Sequence, residues 1–99
     1  MDYTINLDGS AANVVFRGDI TFSENVSFRE MLKELAGSPI TSCTFDLSEV
    51  DMIDSAGLGM FLIAKETADN NGWTVGVVGA KGHVASMLKL TKLSELLAG

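Results

Sequence analysis

The side chains best suited to chemistry lie close together between residues 46 and 59. Ser55 offers a hydroxyl group, and two glycines, Gly57 and Gly59, follow it at positions where another molecule could approach the backbone. The segment leads from the end of a predicted strand, through a loop, into the start of a predicted helix, the place where open α/β sheets form their sites. Three aspartates add carboxylate oxygens: Asp46, Asp51 and Asp54.

Metal binding and catalysis are poorly supported by this pattern. The spacing of the aspartates matches no Ca²⁺ loop, and the single histidine, His83, lies far along the chain. A serine hydrolase would need His83 as its base, and the sequence has no Gly-x-Ser-x-Gly motif. It also lacks a phosphate-binding loop that ends in Gly-Lys-Ser/Thr. We therefore predict no catalytic residue, no metal and no cofactor, and an independent enzyme is the least favoured hypothesis.

Two interpretations of Ser55 remain open on spacing alone. Asp54 or Ser55 can cap the helix, with a side-chain oxygen accepting from backbone N–H groups. Alternatively, Ser55 accepts a phosphoryl group from another protein, which would add about −1.5 to −2 charges at pH 7. The positive end of the helix would favour the phosphate, whereas aspartates close to it would oppose it. Whichever of these two effects is larger, the added charge and bulk of the phosphate would weaken the binding of a partner that covers Ser55.

Length and composition exclude several classes of protein. The 99 residues suffice for one domain, and the single cysteine, Cys43, excludes an internal disulfide. The net charge of −6 disfavours nucleic acid and anionic membranes as partners. Residues 1–54 carry ten acidic and three basic side chains, a net charge of −7. With no signal-peptide pattern and no apolar run of the roughly 20 residues needed to span a membrane, we expect a cytoplasmic protein.

Alternation of apolar and polar residues predicts short strands. Residues 3–8 and 13–17 alternate in this way, and the turn pair Asp8-Gly9 would join them as a hairpin. Further strands are predicted at residues 42–47 and 73–78.

Apolar residues at helical spacing predict three helices between and after these strands. The first begins with a capping-box pattern at residues 21–24 and ends at Gly37-Ser38-Pro39. One face of this helix is apolar and consists of Phe28, Met31, Leu32 and Leu35. The second covers residues 55–70, is apolar almost all round and ends at Asn70-Asn71-Gly72. The third carries Val84, Met87, Leu88 and Thr91. Residues 93–97 fit either a frayed helix end or a short fifth strand.

The order ββαβαβα predicts a single α/β domain over residues 1–99. Strand–helix–strand connections are right-handed and pair their strands in parallel, whereas the leading hairpin adds an antiparallel pair. We expect a mixed sheet of four or five strands, with an N-terminal hairpin and with helices chiefly on one face.

The central motif resembles the signature of the STAS family, which comprises anti-sigma-factor antagonists and the cytoplasmic domains of sulfate transporters. It reads Asp54-Ser55-Ala56-Gly57-Leu58-Gly59 and follows Phe45-Asp46-Leu47-Ser48-Glu49-Val50. Gly18-Asp19-Ile20 resembles the close of the family's second strand, and residues 84–93 resemble the segment that leads to its last strand. The chain departs from the family at residues 93–99, where a C-terminal strand and helix would be shortened or absent.

The resemblance implies a bacterial partner-switching regulator of transcription. An anti-sigma factor, itself a serine kinase of the histidine-kinase-like ATPase fold, would bind the unphosphorylated chain and release its sigma factor. The same kinase would phosphorylate Ser55 and so end the interaction, and a PP2C-type phosphatase would reset the switch. ATP and Mg²⁺ would belong to the kinase, so the chain itself would be neither an enzyme nor a cofactor-binding protein.

The resemblance also assigns roles within the motif. Ser55 would be the phosphoacceptor and Asp54 its neighbour in the contact loop, while Gly57, Leu58 and Gly59 would face the partner at the helix start. Ala56 stands where many members carry a second hydroxyl, so no adjacent residue can replace Ser55 as acceptor. Two further candidates for the interface are Asp19 and Asp46.

Two other functions remain open. The chain could be a STAS adaptor for another partner, in a lipid-transport ATPase complex or in secretion or chemotaxis-like signalling. It could also be a small module that binds a nucleotide or anion at the helix start beside Ser55.

Overall fold

The structure, a computed structural model, describes residues 1–91. The alternatives predicted for residues 93–97, a fifth strand or a frayed helix end, lie outside the described residues, as does the prediction that the C-terminal strand and helix are shortened or absent. No helix within the described residues has both the length and the apolar character that crossing a membrane requires.

Strands and helices follow the predicted order. The strands are β1 (Asp2–Asp8), β2 (Ala11–Ile20), β3 (Ser42–Ile53) and β4 (Thr74–Val78). The helices are α1 (Asn25–Ala36), α2 (Ser55–Asn71) and α3 (Gly82–Leu90), and a 3-10 turn (Phe22–Glu24) precedes α1. Gly72 ends α2 in the left-handed conformation, with φ of 78°, as the Asn-Asn-Gly signal predicts.

The described strands form one mixed sheet in the order β1-β2-β3-β4. β1 and β2 are antiparallel and are joined by a turn at Gly9, whose φ is 61°. β2, β3 and β4 are parallel, and the crossovers between them contain α1 and α2. The predicted α/β fold, with its N-terminal hairpin and mixed sheet, is confirmed.

The core lies between one face of this sheet and the helices. Alternate residues of β2 and β3 are buried on that face, and α1 buries the four apolar residues predicted for it. Four phenylalanine rings pack against one another at its centre, with centroid separations of 5.3 to 6.4 Å. They come from β2, α1, β3 and α2: Phe16, Phe28, Phe45 and Phe61. These contacts fix the two long helices against the sheet and so determine where α2 begins.

The predicted capping box at residues 21–24 is wrong. The Thr21 side chain caps no backbone N–H group, and its hydroxyl lies 3.0 Å from the Ser23 hydroxyl instead. The Glu24 carboxylate lies 3.1 Å from the ammonium group of Met1. The segment forms a 3-10 turn, and α1 starts only at Asn25.

The loop predicted before the second helix is also wrong in its extent. β3 continues through Asp46–Ile53, so Asp54 is the only residue between this strand and α2. The strand stays paired with β2 along this length through two register shifts, and the last pair joins Ile20 to Ile53. Each register shift changes which residues face the core. Residues 46–53 therefore do not show the strict apolar–polar alternation that predicts a strand.

Candidate functional site

The candidate site lies at the carboxyl ends of β2 and β3, where their last paired residues lead into the 3-10 turn and α2. Ile20 ends β2 and Ile53 ends β3, so the two chain segments that leave the sheet start side by side. One connects to Phe22 and the other to Ser55. The sequence thus places an aromatic residue and a hydroxyl group at neighbouring exits from the same sheet edge.

Asp54 connects these segments through four hydrogen bonds. Its Oδ1 accepts from the Gly57 N–H group at 2.7 Å and caps α2, while its Oδ2 accepts from the Phe22 N–H group at 3.2 Å. Its own N–H group donates to the Ile20 carbonyl at 3.3 Å, and its carbonyl accepts from Leu58 N–H at 3.0 Å. Of the two capping residues that the sequence left open, Asp54 is the one that caps the helix.

Ser55 is exposed and is the first residue of the 17-residue helix α2. Because Asp54 performs the capping, the Ser55 hydroxyl is not needed for it. The first turn of α2 contains no acidic residue, and the helix dipole favours an anion there. The Asp54 carboxylate already accepts from the Gly57 N–H group at this helix end, so it would oppose a second negative charge. The geometry therefore suits a hydroxyl that receives a phosphoryl group, and it also suits an uncharged surface serine that a partner covers.

The two residues after Ala56 face the protein interior. Gly57 and Leu58 are buried, and Leu58 is only 7% exposed. A Cβ atom on Gly57 would overlap the Ile20 carbonyl oxygen and lie 2.7 Å from Ile53 Cγ1. These two residues therefore hold α2 against the strand ends, and their burial argues against the direct partner contact that the resemblance implied for them.

Ala56 and Gly59, in contrast, are partly exposed on the outer side of α2. A Cβ atom on Gly59 would meet no atom within 4 Å beyond its own helix and chain neighbours. The surface part of the predicted motif therefore consists of Asp54, Ser55, Ala56 and Gly59.

The aspartates around the motif do not form a cluster. Asp46 lies in the middle of β3, and seven strand residues follow it up to Ile53, a length of roughly 20 Å at the usual rise. It belongs to the open face of the sheet, where its Oδ1 accepts from the Ser48 N–H group at 2.9 Å. This backbone hydrogen bond holds the pKa of the Asp46 carboxyl below its usual value. The prediction that Asp46 lines the Ser55 patch is wrong, because β3 is a strand where a loop was expected.

Asp19 lies nearer to the site. It is exposed, pairs with Met52 one step before the strand ends, and precedes Ile20. The residues described form no group of three or more histidines, cysteines or carboxylates that could hold a metal ion.

His83 makes a contact with the end of β3 that the sequence did not predict. Its Nε2 lies 3.2 Å from the Ile53 carbonyl oxygen. The first turn of α3 therefore rests against the end of β3, beside Asp54. No local sequence pattern predicts this contact, because the two residues are 30 positions apart.

Cys43 takes no part in this site. It is buried in β3, and this burial raises the pKa of its thiol to about 12. A protonated, inaccessible thiol acts as a small apolar residue of the core.

Comparisons with known proteins agree with the motif and the fold. A family model described as "Mlab, STAS domain" matches residues 3–98. An anti-sigma factor antagonist from Mycobacterium paratuberculosis has a similar structure, with a TM-score of 0.81 at 19% identity over 95% of this chain and 80% of that one. A sulfate transporter family protein from Wolinella succinogenes gives 0.78 at 15% identity, covering 93% and 75%.

The third comparison concerns a protein in its phosphorylated form. This structure, the Bacillus cell fate determinant SpoIIAA, has a TM-score of 0.73 at 12% identity and covers 96% of this chain and 85% of that one. At such identities the three structures establish a shared fold.

Proposed function

The chain belongs to the STAS domain family, and from that premise we propose that it is a phosphorylation-controlled antagonist of an anti-sigma factor. In the unphosphorylated state it binds a serine kinase of the histidine-kinase-like ATPase fold, which thereby releases its sigma factor. Phosphorylation of Ser55 ends the binding, and a PP2C-type phosphatase restores it. The chain acts in the cytoplasm by binding alone, and ATP and Mg²⁺ belong to the kinase.

One observation carries this proposal: Ser55 is exposed at the first position of α2, while Asp54 takes the capping role. A phosphate on Ser55 would lie at the positive end of the helix and would leave the capping hydrogen bonds in place. The modified protein would stay folded, and the change would be confined to the surface that a partner covers. Support also comes from the likeness to an anti-sigma factor antagonist and to phosphorylated SpoIIAA.

The test has two parts. Phosphopeptide mapping of protein from its native cells, across growth conditions, asks whether phosphate on Ser55 rises and falls. Calorimetry with the kinase encoded in the same genome then compares the wild type with Ser55→Ala and Ser55→Asp. We expect Ser55→Ala to bind like the unphosphorylated wild type. Ser55→Asp should bind about 30- to 1000-fold more weakly, equivalent to about 2–4 kcal/mol.

A matched control is available at the other end of β2. Ser10→Asp adds the same charge to an exposed serine in the hairpin turn, at the opposite end of that strand from the site. Its affinity for the kinase should stay at the wild-type value. Equal affinities of Ser55→Asp and wild type would contradict a charge switch at this residue.

A STAS adaptor for a different partner is the second candidate. The likeness to a sulfate transporter family protein favours it, because that protein carries the same fold and is not described as an antagonist. Ser55 without phosphate under every growth condition, together with no binding to any kinase encoded nearby, would favour this candidate over the first.

A further inference from the structure

An open groove runs between α1 and α2 and starts beside Ser55. Phe22, Ala56 and Gly59 line its first part, and Ile63 lies where it continues along the two helices. Phe22 is 69% exposed and Ile63 is 39% exposed. The sequence predicts that α2 is apolar almost all round, and the structure leaves part of that apolar surface exposed. We call it the α1–α2 groove.

The charged residues of the groove are both cations. Arg29 lines both parts of the groove and Lys33 lines the second, one helical turn further along α1. No carboxylate is among the described residues that line it. Neither cation forms an ion pair within residues 1–91. This positive, apolar groove stands out in a chain of net charge −6, whose residues 1–54 contain ten acids and three bases.

We propose that the α1–α2 groove receives an amphipathic helix of the partner that recognises Ser55, with apolar residues on Phe22 and Ile63 and two carboxylates at Arg29 and Lys33. A groove between two helices suits a helical ligand, whose side chains three or four positions apart enter it. Arg29 and Lys33 are themselves four positions apart, so carboxylates one turn apart on the incoming helix match them. Gly59 leaves the floor open where this helix must come closest.

The inference rests on the proposed function for the identity of the partner, and it adds a reason for the switch. Ala56 and Gly59, one and four positions after Ser55, both line the groove. A phosphate on Ser55 would therefore stand at the groove entrance and repel the carboxylates of the bound helix. The partner would lose affinity through charge repulsion as well as through the bulk of the phosphate.

Other occupants suit the groove less well. An anionic bilayer would meet a chain whose net charge is −6, and a flat surface cannot follow a concave groove. A second copy of the chain would offer two acids on α2, Glu66 and Asp69, but Asp69 already pairs with Lys65. Its α1 carries the acids Glu30 and Glu34, but the cations Arg29 and Lys33 lie next to them and would approach the cations of the groove as well. Binding of either occupant would be detected as a crosslinked product with lipid or with a second copy of the chain.

The test is site-specific photocrosslinking of the full chain in its native cells. A benzoylphenylalanine replaces Ile63, and the crosslinked peptide is sequenced by mass spectrometry. The same residue at Leu7, 57% exposed on β1, is the control for nonspecific capture. We expect a product that forms only from position 63, with a partner segment that has a helical apolar face and carboxylates three or four positions apart.

Charge reversal then tests the recognition itself. Arg29→Glu and Lys33→Glu should each lower the yield from position 63 about tenfold, a change of about 1.4 kcal/mol. Lys89→Glu, at an exposed lysine in the last turn of α3, makes the same charge change away from the groove and should leave the yield unchanged. Exchange of the partner's two carboxylates for lysines should restore binding to the Arg29→Glu, Lys33→Glu double variant. Circular dichroism confirms that each variant is folded.

Several outcomes would overturn the inference: no product specific to position 63, a product with lipid or with a second copy of the chain, or a yield that charge reversal leaves unchanged. The Ser55→Asp variant separates this inference from the proposed function. If Ser55→Asp releases the partner and charge reversal does not, the groove assignment fails and the switch stands. If charge reversal releases the partner and Ser55→Asp does not, the groove stands and the switch fails.

Discussion

The first two turns of α2 present two sides with opposite requirements. On the inner side, Gly57 leaves no room for a methyl group, because the Ile20 carbonyl oxygen and the Ile53 side chain occupy that space. On the outer side, Gly59 borders open space, and Ser55 is exposed one turn before it. Two glycines of one short motif therefore serve different purposes: one allows close packing, and the other leaves a surface accessible.

Helical periodicity explains how the motif combines both purposes. Residues four positions apart share a face, so Ser55, Gly59 and Ile63 line one side of α2. Gly57, Phe61 and Ala64 lie on the buried side, which packs against the sheet. The packing of Gly57, Phe61 and Ala64 against the sheet thus fixes the position at which α2 presents Ser55, Gly59 and Ile63.

Substitution of Gly57 by alanine should produce the largest effect on stability. The added methyl group would push α2 away from Ile20 and Ile53, and overpacking of this kind typically costs about 1–3 kcal/mol. Urea denaturation followed by circular dichroism measures the change in the free energy of unfolding.

Gly37→Ala is the control for this substitution. Gly37 has a φ of −83°, and a Cβ atom there would make only an ordinary contact, 3.5 Å from the Lys33 carbonyl oxygen. Its free energy of unfolding should change little or rise slightly. If Gly57→Ala were as stable as Gly37→Ala, the close packing between α2 and the strand ends would not be required for folding.

The contrast between the two sides also shows what the sequence could predict. Period-two alternation and the Asp8-Gly9 turn predicted the hairpin, and the spacing of Phe28, Met31, Leu32 and Leu35 predicted the buried face of α1. These signals are local, because each depends on the backbone conformation of a few neighbouring residues. Both elements are confirmed by the structure.

Features that depend on distant contacts were not predictable in the same way. Which glycine of the motif is buried depends on Ile20, more than thirty residues earlier in the chain. Glu24 of the predicted capping box pairs with the ammonium group of Met1, more than twenty residues earlier. The full length of β3 depends on its irregular pairing with β2. At the site, the residue types alone identified Ser55 and Asp54 as candidates. Only the hydrogen bonds of the structure show that Asp54 caps the helix and that the Ser55 hydroxyl is left as the candidate phosphoacceptor.

Asp54→Ala, at the junction between the two sides, should have an intermediate effect. Loss of the helix cap typically costs about 1 kcal/mol, and the hydrogen bond to the Phe22 N–H group would be lost as well. Hydrogen exchange at the Gly57 and Phe22 amides, together with the free energy of unfolding, measures both losses.

Asp54→Asn distinguishes the two hydrogen bonds. Its single side-chain oxygen can cap Gly57, but it offers no second oxygen to Phe22. We expect protection of the Gly57 amide to remain and that of the Phe22 amide to fall. Equal protection of both amides in Asp54→Ala and wild type would show that Asp54 does not connect the turn to the helix.

Gly59→Ala should have a smaller effect on stability than Gly57→Ala or Asp54→Ala, and in the opposite direction. Alanine is favoured over glycine inside a helix by roughly 0.8–1 kcal/mol, and the open space at this position accepts a methyl group without a clash. The free energy of unfolding should therefore rise, while binding of the partner should weaken slightly because the methyl group enters the floor of the α1–α2 groove. Denaturation and calorimetry on the same variant separate these two effects. A variant with lower stability would mean that the outer side of α2 is packed as tightly as the inner one, and the distinction between the two glycines would then be lost.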